Sequence, residues 1–91
     1  MLKMTLKNEK TGAVGTKMIA NGDYKNFENI AKGVVREWSR KVVREEWIAS
    51  GKLIVGDRIG EARFADGFDS AAMGTAVAEF EKNVSWIIDE A

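Results

Sequence analysis

Asp57, Glu61, Asp66 and Asp69 fall in one glycine-containing stretch, and neighbouring carboxylates are the groups that do general acid–base work or hold Mg²⁺ or Ca²⁺. Their spacing matches neither use. Asp66-Gly67-Phe68-Asp69 lacks the alternating oxygen ligands and closing glutamate of a calcium loop, so turn-making and helix capping account for these residues better. Gly51 to Gly60 carries Lys52 but fits neither the phosphate-loop nor the dinucleotide pattern, and Lys52 would follow a helix where a phosphate-loop lysine opens one. The chain has no histidine and no cysteine. The first absence removes the side chain most used for proton transfer near neutral pH, and the second removes thiolate ligation, thiol nucleophiles and disulfides. No catalytic residue, metal ligand or cofactor is therefore expected, and the chain reads as non-enzymatic.

The residues that could do recognition chemistry are cationic. Lys32, Arg36, Arg40 and Arg44 recur at four-residue steps, which on a helix stacks like charges along about 18 Å of one side. Two readings stay open. One is a solvated face eased by the nearby pairs Glu28–Lys32, Glu37–Lys41 and Lys41–Glu45. The other is a contact surface on which the guanidinium groups make charge-assisted hydrogen bonds to carboxylates or phosphates, with Val43 and Trp47 as apolar anchors; arginine and tryptophan are enriched at binding hot spots. Trp86, off the apolar stripe of a last helix, would be a second such anchor.

The element that must position these groups is a helix from about Tyr24 to Ser50. At ~100° per residue, Tyr24, Phe27, Ala31, Val34, Val35, Trp38 and Val42 form one apolar stripe, with Val43 and Trp47 on the opposite side. Asp23 and Asn26 are candidate caps for its start, Gly51 suits the left-handed residue that closes it, and Gly33 implies a close neighbour or a bend. Before it, Leu2, Met4 and Leu6 and then Val14, Thr16, Met18 and Ala20 alternate as an opening β-hairpin, with Gly12 in its loop. After it, Leu53 to Val55 reads as a strand that Gly56-Asp57 could turn back into Arg58 to Phe64. Asp69 or Ser70 then caps a final helix to about Glu90, with Met73, Ala76, Val77, Phe80, Val84, Ile87 and Ile88 on its buried side. The expected fold is α+β: a small antiparallel or mixed sheet, formed by the N-terminal hairpin and one or two central strands, packed on a long central helix and a C-terminal helix.

Ninety-one residues make a single domain, 1–91, of modest stability. The net charge is zero, but residues 1–52 carry eleven Lys/Arg against six Asp/Glu and residues 53–91 three against eight, +5 and −5. Either the halves neutralise each other within the monomer, or a basic surface attracts an acidic partner. Zero net charge and the absence of a basic tail weigh against nucleic acid, which remains the alternative use of the same arginines. The alternating start Met1 to Lys7 and the lack of a long apolar run read as a soluble, untargeted, cytoplasmic protein without a membrane partner. The size, and the absence of histidine, cysteine and proline, are similar in kind to small phage or mobile-element proteins that occlude a host protein, CRISPR inhibitors among them; no motif or residue is tied to that likeness. The reading that results is a protein–protein interaction module, an inhibitor in type, expected to be homodimeric and to meet an acidic partner through Lys32, Arg36, Arg40, Val43, Arg44, Trp47 and Trp86.

Overall fold

A computed structural model of the chain describes residues 1–20, 27–58 and 60–90. The expected caps Asp23 and Asn26 and the stripe residue Tyr24 lie outside the described residues. The order is β1 (Leu2–Asn8), β2 (Val14–Ile19), α1 (Phe27–Ala49), β3 (Leu53–Val55), β4 (Ala62–Phe64), α2 (Ser70–Glu81) and β5 (Val84–Glu90). β1 is the centre of a three-stranded antiparallel sheet of order β2-β1-β5, and β3 and β4 form a separate hairpin. The shortest dimension is 19 Å, the thickness of two layers, so among the described residues one face of the larger sheet has no covering layer.

The local rules explain most of these elements. Gly12, at φ +80°, turns the β1–β2 loop, and Asn8 closes that loop by accepting from the Lys10 and Thr11 amides at 2.9 Å each. α1 ends in a Schellman motif: the Gly51 amide donates to the Ile48 carbonyl and the Lys52 amide to the Trp47 carbonyl, with Gly51 at φ +78°. Asp69 caps α2 by accepting from the Ala72 amide at 2.8 Å. The β3–β4 hairpin forms with a shorter second arm than Arg58 to Phe64, pairing only Leu53 with Phe64, Ile54 with Arg63 and Val55 with Ala62. Nothing in the structure explains Gly33, since a Cβ there would meet open space.

One expected element is overturned. The final helix does not run to Glu90; it stops at Glu81, and Val84–Glu90 is a strand paired along its whole length with β1. Val84, Ile87 and Ile88 satisfy a helical spacing, but Val84, Trp86 and Ile88 satisfy a two-residue period equally well. The segment is rich in β-branched and aromatic residues, and β1 offers it a free edge. Asn83 secures the break, its amide donating to the Phe80 carbonyl and its side chain to that of Glu79.

The core has two parts joined under one helix. Met4, Leu6, Ile19 and Ala31 form the sheet part; Val43, Trp47, Leu53, Val77 and Phe80 form the part against α2 and β3. Trp38 and Val84 touch both. Gly15 is required at the junction, because a Cβ there would collide with the Trp38 indole at its Nε1.

Candidate functional site

The burial of α1 follows a twisting row. Ala31, Val35, Ser39, Val43 and Trp47 stand four residues apart, and at ~100° per residue each step drifts by about 40°, so the row turns by about 160° between Ala31 and Trp47. Its start faces the sheet and its end faces α2 and β3, which is how one helix closes both cores. Ser39, wholly buried on this row, donates to the Val35 carbonyl at 2.7 Å and so needs no other partner.

This geometry corrects the reading of Val43 and Trp47 as outward anchors. They are 3% and 5% exposed and belong to the chain's own core. Trp47 packs edge-on to Phe64 and Phe68, with ring centroids 6.1 and 5.6 Å away, and Lys52 Nζ lies 5.7 Å from both the Trp47 and Phe68 rings. Trp86 is corrected in its element: it stands on the strand β5, opposite Leu6, and not on a helix, and is 39% exposed.

Lys32, Arg36, Arg40 and Arg44 form the next i+4 row, displaced by one residue, and all four are exposed. None of the Glu28–Lys32, Glu37–Lys41 or Lys41–Glu45 pairs closes to 4.0 Å. Arg36 meets Glu81 at the end of α2, Nε to Oε1 at 3.8 Å with both groups partly in water, an ion pair of small energy. Among the described residues Lys32, Arg40 and Arg44 have no carboxylate within 4.0 Å. Among the described residues Arg36 is thus the only cation of the row paired with the acidic half of the chain.

Arg40 and Arg44, with Lys41, line a groove of about 380 Å³ between α1 and α2 whose other lining residues are Ser70, Met73, Gly74 and Val77. Arg36 beside Glu81 and Arg44 beside Met73 show that the two helices run in opposite directions. Gly74 leaves open space where a side chain would stand. The floor is apolar and the rim carries three cations. Sequence reasoning placed Met73 and Val77 on a buried stripe but missed that Gly74 opens a gap between them and the arginines; a glycine in the middle of a helix was the available signal. The described residues hold no cluster of three metal-binding side chains, and none of their helices is long and apolar enough to cross a membrane. No family model matches the chain, and neither curated proteins nor solved structures return a match.

Proposed function

We propose that the chain is a non-enzymatic binding module that seats an acidic amphipathic helix of a protein partner in the α1–α2 groove. The observation that carries this reading is the combination of an apolar floor, Met73 and Val77 around the gap at Gly74, with a rim of Arg40, Lys41 and Arg44 that no carboxylate of the described residues approaches within 4.0 Å. An amphipathic helix laid along such a groove buries its apolar side on the floor and offers carboxylates to the rim, where guanidinium forks bind them with two hydrogen bonds each. Phosphates would satisfy the rim but leave the floor wet, which favours a peptide over a nucleic-acid backbone. Such a module acts by occupying its partner's surface, the mode of an occluding inhibitor, and a chain without cysteine suits a reducing compartment such as the cytoplasm.

The test is a fluorescence-anisotropy titration with a labelled helical peptide bearing leucine on one face and glutamate on the other, run beside a generic oligonucleotide. Binding of the peptide should weaken at least about tenfold in the R40E/R44E variant, a loss of about 1.4 kcal/mol or more, and hardly change in K32E. Equal binding by all three proteins, or preference for the oligonucleotide, contradicts the reading.

A further inference from the structure

The larger sheet ends in two unlike edges. β2 is six residues long and includes Gly15 and a lysine, Lys17, that lies on the helix side of the sheet opposite Met4. Glycines within a strand and inward-facing charges are devices that discourage strands from adding to a sheet. β5 has none of them over its first five residues. Val84-Ser85-Trp86-Ile87-Ile88 contains no proline, glycine or lysine, and among the described residues β5 has a single strand neighbour. Ile87 is 61% exposed on the side of the sheet that no helix covers.

We infer that β5 is the interface of a homodimer, in which two copies pair their β5 strands antiparallel about a two-fold axis at Ile87. Full overlap of a strand running from 84 to 90 places the axis at its middle residue. Ile87 then faces the partner's Ile87, Trp86 faces Ile88, Ser85 faces Asp89 and Val84 faces Glu90, and no like charges stand opposite. Aromatic and β-branched residues are favourable cross-strand pairs. On the open face Asp89 is followed across the axis by the partner's Ser85 and then Lys7, because Ser85 pairs with Lys7 within each copy; a cation therefore answers the carboxylate. The result is a continuous six-stranded sheet with the order β2-β1-β5-β5-β1-β2. The two-fold axis stands perpendicular to that sheet, so both copies keep their helices on the same side. None of the paired residues lines the α1–α2 groove, so the inference is independent of what the groove binds.

A strand of this length, roughly 23 Å at about 3.3 Å per residue, buries well under the ~800 Å² per partner of a standard interface. The dimer is accordingly reversible, with a dissociation constant in the micromolar range. Sedimentation velocity over a concentration series up to about millimolar covers that range, being about a thousandfold above it. The wild-type chain should convert from monomer to dimer across the series. I87K, which sets two ammonium groups against each other at the axis, should raise the dissociation constant at least tenfold without lowering the melting temperature; V14K, at a site 63% exposed on the other edge strand, should leave it unchanged. The chain has no cysteine, so I87C gives a second readout: facing residues at about 4.5–5.5 Å between Cα atoms are within disulfide range, and mild oxidation should yield covalent dimer at position 87 and not in V14C. A wild-type chain that stays monomeric throughout, an I87K variant that dimerises like wild type, or equal cross-linking at positions 87 and 14 overturns the inference and leaves the β5 edge to a strand of some other protein.

Discussion

The two cores beneath α1 are built by opposite means. The sheet part is aliphatic: Met4, Leu6 and Ile19 project from one side of a pleated surface onto Ala31, and any residue of about the right volume on that side would contribute. The part against α2 is aromatic, with Trp47 edge-on to Phe64 and Phe68 and Trp38 edge-on to Phe80 at 5.3 Å. Large rings supply much area from few positions, which suits a helix that offers this part Trp38, Val42, Val43 and Trp47. The difference shows why the cationic row is where it is. A row of small residues and one tryptophan turns inward, and the row one residue further on is left at the rim of the groove.

Replacing Trp47 by alanine should do the most damage, about 3–5 kcal/mol, which in a domain of this size lowers the melting temperature by at least about 12 °C. L6A should cost about 2–5 kcal/mol. Chemical denaturation of both variants gives the order; a larger loss for L6A would break the contrast between the two parts. G15A is next, at about 1–3 kcal/mol, since its methyl group would have to displace the Trp38 indole that bridges them; calorimetry showing no change would mean that this bridge is loose. D69A should cost about 1 kcal/mol by removing the cap of α2, read as a shift of the denaturation midpoint with an unchanged slope.

The smallest effect is electrostatic. The hydrogen bond and charge of Lys82, 2.9 Å away, hold the Glu79 carboxyl below its ordinary value. A carboxylate whose folded value is depressed contributes stability above its unfolded value and loses it as the pH falls through the folded one. Wild type should thus exceed E79Q slightly in melting temperature at neutral pH, and the gap should close in acid below the carboxylate range. A gap that is flat with pH would remove the pair from the account. Because the Glu79 side chain is exposed, the difference will be near the limit of measurement.

Much of the fold is legible in the residues themselves. Alternation predicts the β1–β2 hairpin, Gly12 its turn, Gly51 the end of α1 and Asp69 the start of α2, because each depends on chemistry within a few residues. Two features depend on the rest of the chain. Val84–Glu90 fits both periods, and only the free edge of β1 decides for a strand. The side of α1 that carries Val43 and Trp47 looks exposed when its apolar stripe is drawn straight; it is buried because the helix changes neighbours halfway, which no local pattern records. The candidate site was legible to the same degree. Its arginines follow from spacing, whereas its floor follows from how α2 crosses α1.

A partner docked in the gap at Gly74, between the apolar floor and arginines that no carboxylate of the described residues reaches, would be shut out by a side chain placed there. The direct measurement is G74L, assayed together for stability and for binding of the acidic helical peptide. A Cβ at Gly74 meets no atom within 4 Å and leucine gains about 1 kcal/mol of helix propensity over glycine, so a higher melting temperature is expected together with at least a tenfold loss of binding. A variant that is more stable and binds the peptide as well as wild type would contradict it.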